Sequence, residues 1–336
     1  MVENSRTSPL YIVIFTILIW FPCLSALAAS PVKVIFDTDI SSDVYDVGAV
    51  AVLHVLANKS KVDILATMVS SGDPWSGSCL DALNTWFGRP EIPVGVIKEP
   101  TVTHESKYTM EIASTYSHSL KKTENASAAV ELYRKVLSNQ PDGSVTIITV
   151  GYLTNLKNLL NSGPDSVSPL TGTDLVRKKV KQLVCMGGQY PEGREWNFYQ
   201  DSRATSDVVK NWPRPILFIG YESGLSVTTG SGLKRIAGSN PISRSYELYN
   251  NMSDRPSWDQ LAVLFGATQT DPEAGGNETF KVIRGVNNVV HDGSNQWDYQ
   301  DDGRDGYVVL LASEAKLKVL VEDLMIEAVE HVLSFR

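Results

Sequence analysis

The sequence predicts an α/β fold: a single doubly wound domain in which a central, mostly parallel sheet is flanked by helices. Three observations carry this. Apolar runs rich in β-branched residues recur along the chain, segments of helical period separate them, and a group of aspartates sits where the first run gives way to the first helix. Strands are expected over Val32 to Phe36, Val62 to Val69, Ile92 to Ile97, Val145 to Val150, Lys181 to Met186 and Pro215 to Ile219, nearly continuous in apolar residues as doubly buried strands are. Between them Ser42 to Asn58, Gly77 to Phe87, Ala126 to Leu137, Leu153 to Leu160 and Asp201 to Asn211 space their apolar residues for helices. In such a fold ligands bind beyond the carboxyl ends of the strands. Two stretches break the pattern: Lys98 to Thr123 is polar and aperiodic, and Asp271 to Gly306 is rich in Gly, Asn and Asp. Both are read as surface insertions able to serve as lids. The last segment, Ser313 to Leu333, reads as a terminal amphipathic helix with a packing role.

The first residues have the form of a secretory signal: Arg6, an apolar stretch from Tyr11 to Leu24, and Ala26-Leu27-Ala28 ahead of Ala29. Residues 1–28 are therefore set apart from a folded domain of residues 29–336, and the mature protein is expected to be secreted or luminal. No later stretch reaches the apolar length needed to span a bilayer, so no membrane partner is expected after cleavage. A formal net charge of -8 opposes a nucleic-acid partner, since binding a phosphate backbone rests on clustered Lys and Arg. Cys23 leaves with the signal, so Cys79 and Cys185 are the two that could pair, and the sequence leaves that open. Sequons at Asn58, Asn125, Asn251 and Asn277 are glycan acceptors if the host is eukaryotic.

Asp37, Asp39, Asp43 and Asp46 fall within ten positions. Carboxylates so crowded repel one another, and an oxygen-preferring metal is the natural complement. Strand alternation puts Asp37 and Asp39 on one side, and helical spacing would put Asp43 and Asp46 on one face. Acidic residues at a helix start also complement its dipole, which accounts for one or two of the four.

With its later motifs, this run resembles the opening signature of the nucleoside hydrolases, calcium-dependent enzymes that cut the N-glycosidic bond of ribonucleosides. The resemblance covers nearly all of the mature chain. Val145 to Val150 followed by Gly151-Tyr152-Leu153-Thr154-Asn155 is similar to the family's strand and Gly-x-Leu-Thr-Asn turn, where the residue before glycine lends its carbonyl to calcium; this implies Val150. Met186-Gly187-Gly188, then Glu195-Trp196-Asn197-Phe198 and Asp201, match the segment whose Glu and Asn hold the ribose hydroxyls, implying Glu195 and Asn197. Ser257-Trp258-Asp259 resembles the segment whose aspartate completes the calcium shell, implying Asp259, with Trp258 where purine-preferring members carry tryptophan. Ser71-Gly72-Asp73 stands where relatives have a ligand-contacting Gly-Asn, so Asp73 is a candidate substrate contact; Asn84 and Pro93-Val94 are assigned to helix packing and strand entry. The chain departs from the pattern at Tyr45, where relatives carry a second aspartate beside Asp46, and at Ser41, where glycine is usual.

The resemblance thus implies a small-molecule nucleoside substrate, Ca2+ held by Asp39, Asp46, Asp259 and the Val150 carbonyl, Asp39 as base toward a water, Glu195, Asn197 and Asp43 on the ribose, and Trp258 against the base. Purine nucleosides are favoured, because no histidine occupies the family's leaving-group position and stacking must assist departure. His118 or His291 is the candidate to enter the pocket from a loop, with His54, His104 and His331 read as mainly surface residues. Asp298, Asp301, Asp302 and Asp305 read as a solvated turn. Two rivals stand beside this reading: a magnesium-dependent phosphatase using Asp37 and Asp39, and a secreted binding protein of the same fold that lost turnover through Tyr45 and Ser41. A homo-oligomer is open in either case.

Overall fold

The computed structural model describes residues 30–236, 240–268 and 278–335, together with Met1. The expected signal segment beyond Met1 and the sequon at Asn277 lie outside the described residues. In chain order the first strands are β1 Val32–Thr38, β2 Val62–Val69, β3 Val94–Val96, β4 Ser127–Ala128, β5 Val145–Thr149, β6 Val180–Met186 and β7 Glu192–Gly193. They are followed by β8 Ile216–Ile219, β9 Thr228–Thr229, β10 Arg255–Pro256, β11 Phe280–Val289, β12 Asn295–Tyr299 and β13 Asp305–Leu310. The helices are α1 Tyr45–Asn58, α2 Ser76–Trp86, α3 Thr109–Thr115, α4 Ala129–Ser138, α5 Thr154–Asn161 and α6 Gly172–Lys179. Then come α7 Trp196–Gln200, α8 Ser202–Asn211, α9 Tyr221–Leu225, α10 Pro241–Asn250, α11 Trp258–Thr268 and α12 Glu314–Leu333.

Eleven strands form one sheet in the order β4-β3-β2-β1-β5-β6-β8-β13-β11-β12-β7. Every pairing from β4 to β13 is parallel, and the pairings that join β11, β12 and β7 are antiparallel. The six strands expected from the apolar runs are all present and parallel, and the five expected helices all form. After β1 the chain adds β2 on one side and β5 on the other. That reversal opens a crevice above the carboxyl ends of β1 and β5, where a doubly wound sheet binds its ligand.

Strand alternation gives each face its own core. Phe36, Ile148, Val184 and Leu217 pack with α1, α2, α11 and α12 on one face, while Ile35, Ile147, Leu183 and Phe218 pack with α4, α5, α6 and α8 on the other. Cys79 and Cys185 are buried in these separate cores and both are free thiols, so the sheet itself stands between them. Helix α1 is buried along almost its whole length. At Gly48 a Cβ would come within 2.4 Å of the Gln260 side chain, so glycine is what lets α11 lie so close.

Three expectations are corrected. The stretch read as a second surface insertion supplies β11, β12 and the start of β13, which extend the sheet. Its Gly, Asn and Asp content concealed the strands because an antiparallel edge keeps one face in water and needs few apolar residues. Trp297 and Tyr307 nevertheless bury against Tyr190 and Phe218 in an aromatic cluster. Asp305, read as part of a solvated turn, is buried, ion-paired to Arg304 at 2.7 Å, and accepts from the Ile216 amide at 2.9 Å. The stretch from Lys98 to Thr123 holds α3 and is pinned by the fully buried Tyr108, whose hydroxyl donates to the Asp43 carbonyl at 2.6 Å.

The C-terminal helix forms as expected, its first turn capped by the Ser313 hydroxyl. Among the described residues no helix is long and apolar enough to cross a membrane. Of the sequons, Asn125 and Asn251 are exposed, whereas the Asn58 amide accepts from Arg89 at 2.6 Å.

His54 is buried rather than superficial, because it lies on the core face of α1 stacked on Phe87 at 4.4 Å. Its Nε2 donates to Asn84 Oδ1 at 3.0 Å and its Nδ1 accepts from Arg89 at 3.3 Å, so the neutral ring is fully satisfied. Burial and the Arg89 charge hold its pKa down to about 3. Below the ordinary histidine value the unfolded chain takes up a proton that the folded chain refuses, so this contribution to stability is whole above pH ~6.5 and is lost as pH falls toward 3. We expect His54→Leu to be less stable than the parent at pH 7, by about 1–3 kcal/mol for the unpaired Asn84, and to lose less stability between pH 7 and 4. Urea midpoints across that range check this; parallel pH dependences of the two proteins would refute it.

Candidate active site

Strand β1 ends at the crevice and carries Asp37 and Asp39 to it. Asp37 is locked below the surface: Tyr133 donates to it at 2.8 Å and Asn155 donates to both its oxygens at 3.2 Å. The Asn155 amide also donates to the Val69 carbonyl at 3.0 Å, tying α5 to β1 and β2. Burial pushes the Asp37 carboxyl up to about 7 despite those bonds.

Asp39 lies one strand repeat further on, nearly buried. The turn after β5 reaches it: the Val150 amide donates to the Asp37 carbonyl at 2.8 Å, and a Cβ on Gly151 would stand 2.4 Å from the Asp39 nitrogen. The glycine in this turn is thus a requirement of close approach. Asp46, in the first turn of α1, accepts from the Thr38 hydroxyl, and Asp259, in the first turn of α11, has both carboxylate oxygens buried without a hydrogen-bond partner among the described residues. Burial, and then the charges of the neighbouring aspartates, push Asp46 and Asp259 well up; burial also raises Asp39. Burial thus weighs on Asp39, Asp46 and Asp259 alike, but among the described residues no three acidic, histidine or cysteine groups converge closely enough to hold an ion as the side chains stand.

Beside this group lies a cavity of ≈ 370 Å³ lined by Ser42, Asp43, Tyr45, His104, Met186, Glu195, Trp196, Tyr221, Arg255 and Trp258. Glu195 caps α7, accepting from the amides of Asn197, Gly188 and Phe198 at 2.8, 3.1 and 3.2 Å, yet burial still pushes it up to about 7. Asn197 donates to the Val150 carbonyl at 3.0 Å, which joins this segment to the turn after β5. The Trp258 indole donates to the Tyr221 carbonyl at 2.6 Å, stacks on the Tyr221 ring at 5.4 Å and meets the Tyr45 ring edge-on at 5.4 Å. One wall of the cavity is consequently aromatic.

Two expected placements differ. Asp43 does not share a helical face with Asp46: α1 begins at Tyr45, and the Asp43 carboxylate accepts from the adjacent Val44 amide at 2.8 Å and is forked by Arg255. Arg255 itself lies within 6 Å of the rings of Tyr45, Tyr249 and Trp258, at 5.7, 5.7 and 5.9 Å. Asp73 stands apart from the cavity; it accepts from Ser76 at 2.8 Å and lines a neighbouring cleft with Lys98, Lys121 and Lys122. Ser41 takes no positive φ, so the loop does not need glycine there.

Arg255, Trp196, Tyr221 and His104 belong to the cavity wall and were not singled out for it in the sequence. Arg255 had a readable signal, a cation three residues before Trp258 in a chain crowded with carboxylates. His104 lines the cavity where His118 or His291 was expected, its Nε2 lying 3.2 Å from Gln200 Oε1. Loop conformation leaves no periodic trace in sequence.

Two variants probe this construction. Gly151→Ala forces the turn away from Asp39 and is expected to cost about 1–3 kcal/mol, read as a lower denaturant midpoint. Arg255→Ala leaves the Asp43 carboxylate, largely sheltered, without its partner; a loss of about 1–2 kcal/mol is expected, and an unchanged midpoint would mean the ion pair contributes nothing.

Residues 34–293 match the family model of the inosine-uridine preferring nucleoside hydrolases. An uncharacterised protein of Schizosaccharomyces pombe is 28% identical over 198 residues, which span 53% of this chain and 58% of that protein. The pyrimidine-specific ribonucleoside hydrolase RihA of Salmonella newport is 33% identical over 112 residues, 32% of this chain and 31% of that one. The matched part of the chain thus spans about three-fifths of the first relative and about a third of the second. The inosine-uridine preferring nucleoside hydrolase of Bacillus anthracis superposes with a TM-score of 0.62 at 18% identity, over 87% of this chain and 98% of that one, a likeness of fold. A family match running from the first strand through the aspartate cluster, the turn after β5 and α11 leaves one conclusion: this chain belongs to the inosine-uridine preferring nucleoside hydrolase family.

Proposed function

We propose that the chain hydrolyses the N-glycosidic bond of ribonucleosides, purine nucleosides foremost, releasing free base and ribose. The observation that carries this is the set of buried aspartates Asp39, Asp46 and Asp259 just past β1 and in the first turns of α1 and α11, with a nucleoside-sized cavity whose one wall is aromatic. Asp39 is the base that takes a proton from the attacking water. Glu195 and Asn197 hold the sugar hydroxyls and so orient the anomeric carbon. Trp258, backed by Tyr221, stacks on the base, which supports the purine preference.

The residues present fit a divalent cation. The orphaned oxygens of Asp259 and the mutual repulsion of three buried aspartates both call for positive charge, and an all-oxygen donor set suits calcium. Asp39, Asp46, Asp259 and the Val150 carbonyl would hold it. As the side chains stand, no three acidic, histidine or cysteine groups among the described residues converge closely enough to bind an ion, and Asp46 is engaged with Thr38. When bound, the ion orients and acidifies water.

The binding-protein reading has one observation in its favour. Asp43 is occupied by Arg255, and Tyr45 presents a phenol to the cavity, so the wall offers a ribose diol fewer free carboxylates. The phosphatase reading finds no support, since Asp37 is enclosed by Tyr133 and Asn155. We further propose a secreted protein, glycosylated at Asn125 or Asn251 where the host allows it.

Chromatography of base and ribose after incubation with a panel of nucleosides, with and without a calcium chelator, tests the proposal. We expect inosine to be cleaved faster than uridine, chelation to abolish turnover, and Asp39→Asn to lower kcat by about 10²–10⁴-fold. Equal rates on inosine and uridine would remove the purine preference. Ligand binding without release of base, restored to turnover by Tyr45→Asp, would select the binding protein.

A further inference from the structure

We propose that the cleft lined by Trp75, Lys98, Lys121 and Lys122 is a second ligand site, which takes a nucleoside monophosphate with its phosphate on the lysines and its base on Trp75. The inference goes beyond the hydrolase reading and does not depend on it. The cleft measures ≈ 650 Å³, against ≈ 370 Å³ for the candidate active-site cavity, and the two share no lining residue. A nucleotide fits within that volume.

The charges call for an anion. The chain carries a formal net charge of -8, yet here Lys98, Lys121 and Lys122 stand against the carboxylates of Asp73 and Glu124. Lys98 follows β3 and the other two precede β4, so the fold brings the cations together from two segments. Lys98 Nζ donates to the Glu124 carbonyl at 2.8 Å and Lys121 Nζ to the His118 carbonyl at 3.1 Å. A neutral carbonyl steers an ammonium without cancelling its charge, and each ammonium keeps two further N–H donors. Lys122 is paired with Glu124 at 3.4 Å, but both side chains are largely exposed, so solvent and salt weaken the pair and an anion can compete for the lysine. Asp73 offers the lysines little: it is buried, it accepts from Ser76 at 2.8 Å, and burial raises its carboxyl above the ordinary value.

The uncharged lining calls for a ring. Trp75, just ahead of α2, is exposed, and Pro74, Val96 and Ile97 add apolar surface to the same cleft. An exposed indole offers a π face on which a base stacks. Thr123 Oγ1 accepts from the Ser78 amide at 3.2 Å, which leaves its own proton for a phosphate or sugar oxygen. Phosphate alone makes no use of the apolar lining, and a free nucleoside makes none of the lysines. A ligand that carries both groups satisfies the whole cleft.

Isothermal titration calorimetry on the full mature protein tests the site, with 9-deazainosine, an uncleavable nucleoside, added in excess to fill the active-site cavity. AMP is expected to bind, adenosine and inorganic phosphate each to bind about tenfold more weakly or worse, and AMP affinity to fall as salt is raised. Replacing both Lys98→Ala and Lys121→Ala should weaken AMP about tenfold and leave adenosine unchanged. Trp75→Ala should weaken AMP about tenfold through lost stacking. Thermal midpoints equal to the parent's show that each variant is folded, and Lys98→Gln with Lys121→Gln replaces the alanine pair if its midpoint falls. Absence of AMP binding overturns the proposal, as does AMP binding that 9-deazainosine abolishes, that the lysine variant leaves unchanged, or that inorganic phosphate matches in affinity. A protein that binds AMP in this way but cleaves no nucleoside keeps this site and loses the hydrolase reading, so the two fail separately.

Discussion

Desolvated carboxylates at the switch point of the sheet are the constraint around which this molecule is arranged. Burying a carboxylate is unfavourable unless hydrogen bonds or opposite charge compensate. Each aspartate meets the problem differently. Asp37 is compensated by Tyr133 and Asn155, Asp43 by Arg255, and Asp46 in part by Thr38. Asp259 has only the start of α11, whose dipole favours negative charge, and its oxygens stay unpartnered. The supporting chain is fixed accordingly: a glycine at 151 so that the turn after β5 can touch Asp39, and a glycine at 48 so that α11 can bring Asp259 against α1.

Above that acidic group the cavity changes character. Tyr221, Trp258 and Tyr45 form a continuous ring system through stacked and edge contacts, and Trp196 with His104 forms a second aromatic pair. Arg255 belongs to both regions, its guanidinium forked to Asp43 while its plane lies near three rings. A ligand with a polar ring and a flat apolar one is matched by this division.

The parallel half of the sheet was legible because its strands are buried on both sides and so announce themselves as β-branched runs; Val62–Val69 was located to the residue. The acidic character of the switch point was legible because four like charges in ten positions have few structural uses. What the sequence concealed shares a physical cause. Strands β11 and β12 carry polar residues on a wet face, Asp43 is captured by a partner 212 positions away, and His104 bonds to Gln200, 96 positions away. Each depends on contacts between distant segments, which local periodicity does not encode. Asp73 misled for the opposite reason: its neighbourhood fits the family pattern locally, while its side chain is occupied in its own turn by Ser76.

The sheet order bears on how this protein behaves at high concentration. Its outermost strands, β4 and β7, are two residues each. An eleven-stranded ribbon with long terminal strands would offer open amide ladders to other copies, inviting edge-to-edge polymerisation. Here the ladder tapers off at both ends, so strand-by-strand growth has almost no template.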